Sequence, residues 1–281
     1  MPTFIKLSKK DRIKLFNLAR ANSNISFNKI YPQFNISRSM FYHYLSGKYD
    51  IPKNIFLELQ NISETKIEDY EEIEKDKYLL KEIIKPILNS SFAETIGILN
   101  GDGHIAPLNH EICVVISHME EDYFGYLKDL FEETFNLSFK RYQQGTRLKL
   151  RTNSKKMADH LHNEYNLPKG NKMGKLKIPK QILNSKELLI AYLRGLYDTD
   201  GTFYLRRKKD PVVEISSADP RFLKEIQESL ISLNFNVGRG KNRVYIYDKT
   251  HINDFFKLIK PANPKHLKKH QNYLKLIAPL V

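Results

Sequence analysis

The sequence has little that would indicate a membrane protein, a disulfide-stabilised fold or a redox enzyme. It contains one cysteine, Cys113, and no tryptophan. A single thiol can form neither an internal disulfide nor a cysteine-rich zinc site, and its apolar neighbours predict that Cys113 is a core residue. No run approaches the roughly 18 apolar residues of a membrane-spanning helix, and the first residues lack the apolar segment of a signal peptide. We therefore expect an intracellular protein, cytoplasmic or organellar, without a membrane partner.

What the sequence has in excess is positive charge. Its 281 residues include 46 Lys and Arg against 32 Asp and Glu, a net charge of +14. Residues 1–62 carry a net +7 and residues 86–281 a net +10, whereas residues 63–85 carry −3. A polymer with regularly spaced phosphates attracts such basic segments and releases counterions on binding. The charge therefore favours a nucleic acid partner, and a basic surface that only maintains solubility is the alternative.

Residues 1–62 are expected to form a small all-α domain. Apolar residues recur there at intervals of three and four, with breaks at asparagines and at Gly47, which predicts four short helices. The third helix exposes Arg38, Ser39 and Tyr42 near its start. This segment resembles the helix-turn-helix family, which implies that these three residues contact DNA. A purely structural or protein-binding bundle is the alternative.

The acidic connector, residues 63–87, is predicted to be a partly exposed helix. Its apolar residues Ile67, Tyr70 and Ile73 recur at helical spacing with charged residues between them. The acidity is typical of a solvated helix face and needs no further role.

An internal duplication dominates residues 88–281. The segments SFAETIGILNGDG (91–103) and LLIAYLRGLYDTDG (188–201) end alike, and Asp102 and Asp200 lie 98 positions apart. Each segment is followed by a strand pattern, an amphipathic helix, a hairpin pattern and a further helix. The predicted fold class is therefore α+β: a pseudo-twofold pair of αββαββα units, residues 88–180 and 181–281, each with a four-stranded antiparallel sheet.

The two similar helices that open the repeats are expected to pack on each other. Small residues lie four positions apart in each helix: Gly97 and Gly101, and Gly195 and Thr199. They would line one face and let the two backbones approach closely. A capping box is expected at the start of each helix, formed by Ser91 with Glu94 and by Asn184 with Glu187.

This packing would bring Asp102 and Asp200 together at the carboxyl ends of the helices. The helix dipoles and the like charges both disfavour ionised carboxylates there, and a divalent cation would relieve both effects. Hard oxygen ligands without a His or Cys cluster suit Mg²⁺, which also coordinates phosphates, so the pair indicates metal-assisted phosphodiester hydrolysis. Asp-Gly is also an ordinary turn dipeptide, but its repetition at equivalent positions favours the functional interpretation.

At these residues the sequence resembles the LAGLIDADG homing endonuclease family. The nine-residue motif corresponds to TIGILNGDG (Thr95 to Gly103) and LRGLYDTDG (Leu193 to Gly201), with Arg194 in place of a small residue. The resemblance covers about residues 88–275. It implies a monomer whose two sheets form a saddle over a long, asymmetric site in double-stranded DNA, which is cleaved with Mg²⁺ across the minor groove.

The resemblance also implies roles for individual residues. The implied metal ligands are Asp102 and Asp200 with backbone groups of Gly101 and Thr199, whereas the sixth motif position, Asn100 and Asp198, is structural. The candidates for basic or polar residues that complete the catalytic centre are Lys149, Arg151, Arg243 and His118. The candidates for DNA contacts on the sheets and hairpins are Lys140, Arg141, Gln143, Arg147, Arg206, Arg207, Lys208 and Lys209.

Three functions fit these observations. The first is a site-specific, Mg²⁺-dependent double-strand DNA endonuclease of the homing type, extended by the helix-turn-helix-like domain. The second is a DNA-binding transcriptional regulator that has kept the fold without cleavage. The third is an RNA maturase that assists intron splicing, which would prefer structured RNA to duplex DNA.

Overall fold

The structure, a computed structural model, describes residues 3–74, 85–207 and 210–277. The chain forms two compact units, residues 1–83 and 84–281. Cys113 is buried, as expected. Within the described residues, no helix combines the length and the apolar character that crossing a membrane would need.

The first unit contains the four predicted helices around its own apolar core. They are α1 (Lys9–Ser23), α2 (Phe27–Ile30), α3 (Arg38–Ser46) and α4 (Lys53–Ser63), and one 3-10 turn, Tyr31–Phe34, follows α2. Ser37 caps the start of α3 by accepting the amide of Met40, and Gly47 ends this helix in the left-handed conformation, with φ 79°. Phe16 and Phe41 meet edge to face in the core, with ring centroids 5.2 Å apart.

This first unit is not all-α, contrary to the prediction. Three short strands, β1 (Thr3–Lys6), β2 (Ile51–Pro52) and β3 (Glu71–Glu74), form an antiparallel sheet in the order β2-β1-β3. Helical spacing within a segment carries no information about pairing with a strand almost 70 positions away. The sheet was therefore not visible in the periodicity of the sequence.

The predicted connector helix is also wrong where the structure describes it. Residues 65–70 are irregular and residues 71–74 form β3, while residues 75–84 lie outside the described part of the chain. Ile67 is buried in the core of the first unit, and the backbone of β3 is satisfied by pairing with β1. Lys6 pairs with Glu71 at 3.1 Å, which favours the strand further.

The second unit has the predicted αββαββα order in both repeats. The first repeat contains α5 (Ser90–Asn100), β4 (Gly103–Ile105), β5 (Glu111–Ser117), α6 (Glu121–Phe135), β6 (Lys140–Gln144), β7 (Arg147–Asn153) and α7 (Lys155–Tyr165). A short helix, α8 (Lys180–Leu183), precedes the second repeat. The second repeat contains α9 (Lys186–Asp200), β8 (Gly201–Arg206), β9 (Asp210–Ser216), α10 (Pro220–Ser232), β10 (Gly238–Arg239), β11 (Arg243–Ile246) and α11 (Lys249–Ile259), and α12 (Pro264–Ile277) follows.

Two four-stranded antiparallel sheets result, as predicted. Their strand orders, β4-β5-β7-β6 and β8-β9-β11-β10, correspond between the repeats. Each motif glycine begins the first strand of its repeat, but the registers differ, since Gly103 lies opposite the fourth residue of β5, Val114, and Gly201 opposite the sixth residue of β9, Ile215. On β7 the apolar residues Leu148 and Leu150 are buried, and the residues between them face outward, so each sheet covers the core with one face.

Helices α5 and α9 pack backbone to backbone. This confirms the prediction that their small residues let the two helices approach closely. A Cβ atom on Gly97 would lie 2.1 Å from the carbonyl oxygen of Tyr192, and one on Gly195 would lie 2.2 Å from that of Glu94. No side chain larger than hydrogen fits at either position without moving a helix. The crossing fixes where the two helices end and therefore where the residues after them lie.

The predicted capping boxes are wrong. Asn89 caps α5 and accepts the amide of Phe92 at 2.9 Å, and Ser185 caps α9 in the same way for Leu188. Glu94, predicted to close the first box, is instead buried and 2% exposed. Its carboxylate makes contacts across the helix interface, which a search for local sequence signals does not reveal.

Candidate functional site

The carboxyl ends of α5 and α9 meet at a point to which each repeat contributes one motif aspartate. A Cβ atom on Gly101 would lie 2.0 Å from Oγ1 of Thr199 and 3.5 Å from Cγ of Asp200, so the two helix ends are in contact. Asp102 comes next in the chain, and its carbonyl oxygen accepts the amide of Val115 from β5 at 3.4 Å. The first strand of each repeat, β4 or β8, therefore begins directly after its motif aspartate.

The two motif carboxylates influence each other electrostatically. Burial raises the pKa of Asp200 to about 7, and the negative charge of Asp102 contributes in the same direction. Asp102 is exposed on one side, but the protein around the rest of its side chain still raises its pKa. Burial is therefore the main cause at both carboxylates, and the like charge of Asp102 adds to it at Asp200.

Lys172 lies at this junction, although no motif or repeat singles it out. Its Nζ donates hydrogen bonds to three backbone carbonyls at the end of α5: Leu99 at 2.8 Å, Asn100 at 3.2 Å and Gly101 at 2.6 Å. An ammonium group has three hydrogens, so all of its donors can be satisfied here. Burial lowers the pKa of Lys172 to about 8, and the charges of Asp200 and Asp102 act in the opposite direction.

A second lysine, Lys265 of the second repeat, favours the ionised form of both motif aspartates. It pairs with Glu120 at 2.9 Å, and its charge lowers the pKa of both motif aspartates against the larger effect of their burial. Lys172 and Lys265 each follow the last helix of a repeat, α7 and α11 respectively. The two lysines therefore occupy related places in the duplicated fold but have different partners.

The sixth motif positions hold the chain segments that follow each repeat. The amide of Asn100 donates to the carbonyl of Lys177 at 3.1 Å, and the carboxylate of Asp198 accepts the amides of Ala262 at 2.8 Å and Asn263 at 3.2 Å. Both side chains are buried. These contacts are structural, which agrees with the role implied for this position.

Arg194, the motif residue that departs from the usual small side chain, is accommodated by partners in both repeats. Its Nη1 pairs with Glu94 of the other motif helix at 3.0 Å, and its Nε donates to the carbonyl of Ile259 at the end of α11 at 2.9 Å. Tyr126 donates a further hydrogen bond to Glu94. The buried carboxylate is therefore both paired and hydrogen-bonded, as such groups need to be.

An open cleft of about 670 Å³ lies beside the junction and brings predicted site residues together. Its lining includes Asp200, Gly101, Lys172 and Arg243, together with the glutamate Glu214 of β9. Arg243 was predicted near the catalytic centre, and Nη1 of this arginine lies 3.4 Å from Glu214. The first repeat thus contributes Gly101 and Lys172 to the cleft, and the second repeat contributes the two carboxylates and Arg243.

The other predicted catalytic residues lie on or beside the first sheet. Lys149 and Arg151 both pair with Glu111, at 2.5 and 3.0 Å. Lys149 lies opposite Val115, whose amide donates to the carbonyl oxygen of Asp102, so it is one strand away from that contact. His118 lies beyond the end of β5, and its Nδ1 is 3.1 Å from the carbonyl oxygen of Thr146.

The strand register corrects the predicted set of DNA contacts on the first sheet. Lys140 and Tyr142 lie opposite Arg151 and Lys149, so these four share the outward face, and Arg147 continues it. Arg141 and Gln143 lie opposite Leu150 and Leu148 and therefore point to the other face. Arg141 pairs there with Glu121 and lies over the ring of Phe124, both on α6. Arg141 and Gln143 are not on the outward face.

The remaining candidates for DNA contact are exposed where the structure describes them. Arg206 ends β8 and lies over the ring of Tyr247 at 5.3 Å, and Arg207 follows it. Lys208 and Lys209 lie outside the described residues. In the first unit, Arg38, Ser39 and Tyr42 are all exposed at the start of α3, and the Arg38 guanidinium lies 5.7 Å from the centre of the Tyr42 ring.

The carboxylate and carbonyl oxygens at the junction are the ligand types that divalent cations prefer, but the carbonyls of the two helix ends have different partners. In the described part of the chain, no cluster of three or more His, Cys, Asp or Glu side chains could hold a metal. A cation would therefore depend on Asp102, Asp200, backbone carbonyls and groups from outside the protein. The Gly101 carbonyl already accepts a hydrogen bond from the Lys172 ammonium, whereas the Asp198 carbonyl at the end of α9 accepts one from the neutral side-chain amide of Asn263.

Comparison with known proteins finds a family model that matches most of the second repeat. Residues 187–260 match the family model of the LAGLIDADG-like domain. A protein of Oenococcus oeni named "Probable cell division protein WhiA" is 30% identical over 93 residues, which are 31% of this chain and 30% of that protein. The match thus spans less than a third of this relative.

Solved structures show the fold. The homing endonuclease I-WcaI bound to its DNA recognition sequence matches 66% of this chain and 88% of its own, with a TM-score of 0.52 and 17% identity. The N-terminal LAGLIDADG domain of DUF199/WhiA matches 63% of this chain and 85% of its own, with a TM-score of 0.42 and 17% identity. At such identities a likeness shows a shared fold and no more. The resemblance seen in the two motifs is thereby confirmed: the chain contains a LAGLIDADG-like domain and has the fold of the LAGLIDADG proteins.

Proposed function

We propose that the protein is a site-specific, metal-dependent endonuclease that cleaves both strands of a long, asymmetric DNA site as a monomer. The observation that carries this proposal is the pair of motif aspartates, Asp102 and Asp200, which share one electrostatic site beside a cleft that contains Arg243. Carboxylates with raised pKa values at a basic cleft are typical of functional sites. The structural likeness to I-WcaI bound to DNA supports a DNA substrate.

In this proposal the residues of the chain position the DNA and hold the metal ions. Asp102 and Asp200 would provide carboxylate ligands, and Thr199 a backbone oxygen. Bound Mg²⁺ would supply charge stabilisation of the scissile phosphate and a more acidic water. Arg243 lines the cleft from β11, where Glu214 holds it, and would bind a phosphate oxygen there.

The outward faces of the two sheets would form the main DNA-binding surface. Glu111 in the first sheet and Glu214 in the second are both largely buried, and each fixes neighbouring side chains: Lys149 and Arg151 by the first, Tyr204 and Arg243 by the second. Fixed cations lose less conformational freedom when they bind phosphates. Arg38, Ser39 and Tyr42 of the first unit are proposed to contact DNA outside the cleaved site.

Selection from a randomised duplex library tests this function. The wild-type protein is incubated with the library and Mg²⁺ or Mn²⁺, and bound and cleaved duplexes are sequenced separately. We expect cleaved duplexes that share one long site. Asp102→Asn and Asp200→Asn should still bind this site but no longer cut both strands, whereas the exposed acid Asp122 provides the control Asp122→Asn, which should cut normally. Unchanged cleavage by both motif variants would contradict the assignment.

The second candidate function is a DNA-binding regulator that does not cleave. One observation favours it: the ammonium group of Lys172 already satisfies the Gly101 carbonyl that a metal at α5 would need. The partial match to "Probable cell division protein WhiA" is consistent with a cellular role outside homing. A wild-type selection that yields bound but uncut duplexes at every divalent ion tested would establish this candidate over the endonuclease.

A further inference from the structure

The two motif helices end in different electrostatic surroundings, although their sequences repeat. At the end of α5, three successive carbonyl groups converge on the ammonium of Lys172. At the end of α9, Thr199 Oγ1 donates to the carbonyls of Gly195 and Leu196, and the neutral amide of Asn263 donates to that of Asp198. Lys265, the related lysine, pairs with Glu120 instead.

The position of Lys172 has the properties of a cation site. The last carbonyls of a helix have no partners within the helix and carry the negative end of its dipole. The ammonium is held at distances of 2.6 to 3.2 Å from three of these oxygens, and both motif carboxylates attract it. A divalent cation at the same carbonyls would meet a positive charge already in place.

Asp200 is the motif carboxylate beside this ammonium, because Gly101, Lys172 and Asp200 line one cleft and a Cβ atom on Gly101 would lie 3.5 Å from Cγ of Asp200. We propose that Lys172 is a built-in cation that takes the place of a divalent ion between the carboxyl end of α5 and Asp200, so that only the end of α9, with Asp102, is open to a metal. The inference rests on the metal site of the proposed function. It deepens that proposal because it makes the two halves of the site unequal. A metal bound on the α9 side would serve one DNA strand directly and the other through the fixed charge of Lys172.

Divalent-ion binding without DNA tests this inference by thermal unfolding, with Mn²⁺ as the probe. A ligand that binds only the folded protein raises the unfolding midpoint, and at a fixed ligand concentration the stabilisation grows with the logarithm of its affinity. Lys172→Met removes the ammonium and keeps an unbranched side chain. We expect this variant to unfold at a lower temperature than wild type in EDTA, because three carbonyls lose their donor. We expect its affinity for Mn²⁺ to rise at least about tenfold, since a neighbouring unit charge is removed from a partly buried site.

Two variants serve as controls. Lys175→Met removes the same charge three residues away, from an exposed side chain, and should follow wild type in EDTA and in Mn²⁺. Adding Asp200→Asn to Lys172→Met should cancel the gain in Mn²⁺ affinity, because the new ion would lose the carboxylate beside it. If Lys172→Met does not fold, Lys172→Gln, which retains a neutral donor, is expected to show the same gain.

Equal Mn²⁺-induced shifts in wild type, Lys175→Met and a folded Lys172 variant would overturn the inference. So would a gain that persists in the double variant. The measurement contains no DNA, so failure of the endonuclease proposal is observed separately, as uncut duplexes in the library selection. A protein that cuts no DNA but gains Mn²⁺ affinity on removal of Lys172 would keep the built-in cation and lose the endonuclease.

Discussion

Three acidic side chains near the junction of α5 and α9 are stabilised to different degrees by their partners. Glu94 is paired with Arg194, and Asp198 accepts two backbone amides. The carboxylate of Asp200 accepts no comparable hydrogen bond from the described residues and depends on the charges of Lys172 and Lys265. A carboxylate held in this way is costly to the fold and available to a ligand, which is typical of a functional residue.

The stability cost of Asp200 should depend on pH in a defined direction. The pKa of this group rises from an ordinary value near 3.8 to about 7 in the folded protein, so the folded state binds more protons than the unfolded state between these values. Ionised Asp200 therefore lowers stability fully above pH 7 and has no effect below about pH 4. Asp200→Asn, measured by urea unfolding in EDTA, should be more stable than wild type at pH 8, by an amount on the order of 2 kcal/mol.

The same comparison at lower pH provides the check on sign. The difference between Asp200→Asn and wild type should shrink as the pH falls from 7 and vanish near pH 4. The exposed Asp122→Asn should show no such trend. A variant less stable than wild type at pH 8 would show that the carboxylate is stabilised in the free protein and would remove the argument for a ligand.

The sequence singled out residues that recur at equivalent positions of the two repeats. It missed residues whose importance depends on contacts made only in the folded chain. Asp102 and Asp200 were visible because a duplication placed them at equivalent positions. Lys172 is one of many lysines, and only the folded chain shows that it reaches three carbonyls of α5. Glu94 looked like part of a capping box because its partner Arg194 lies 100 positions away in the chain.

At the scale of elements, the crossing of α5 and α9 is the contact on which the site depends. Backbone contact at Gly97 and Gly195 sets the separation of the helices, and the Glu94 to Arg194 pair joins them beside that contact. A shift of either helix would separate the two motif aspartates. The glycines therefore act on function through geometry, without touching a ligand.

Gly195→Ala should be strongly destabilising. The new Cβ atom would lie 2.2 Å from a backbone oxygen of α5, which cannot rotate away, and overpacking of this kind costs roughly 1 to 3 kcal/mol or more. Gly125 of α6 offers a matched control, because a Cβ atom there would meet nothing within 4 Å. Gly125→Ala should stabilise the protein by up to about 1 kcal/mol through helix propensity.

Chemical unfolding of the two alanine variants compares them directly. Equal effects of both substitutions would mean that the helices separate at no cost, contrary to the backbone contact.

The fold around this crossing was predictable, since repeated patterns specify repeated elements. The sheet of β1, β2 and β3 was not predictable, because its strands are short and pair across most of the first unit.

At the scale of the whole molecule, the excess of positive charge is distributed unevenly over the surfaces of the sheets. In the first sheet, Lys140, Lys149 and Arg151 share the outward face, whereas Arg141 is paired on the helix side. Net charge alone indicated a polyanionic partner. The register was needed to say which cations could reach it, because a residue's face depends on its strand partner.

The salt dependence of duplex binding tests this division. Each cation that contacts a phosphate contributes about one unit to the slope of log affinity against log salt concentration. Lys149→Gln and Arg151→Gln should each reduce the slope by about one unit, whereas Arg141→Gln should leave it unchanged. Fluorescence anisotropy with a labelled duplex over roughly 50 to 200 mM salt measures this. An equal loss of slope in all three variants would place Arg141 on the DNA as well.

The pairing of β1 with β3 has a consequence for how the first unit could be inherited. Thr3 lies directly opposite Glu74, so these two residues, almost the whole length of the described unit apart in sequence, are about 5 Å apart in space. A unit closed by such a pair can be inserted into a surface loop of another protein without stretching the host chain. The same geometry would allow the unit to be transferred between proteins as a self-contained module.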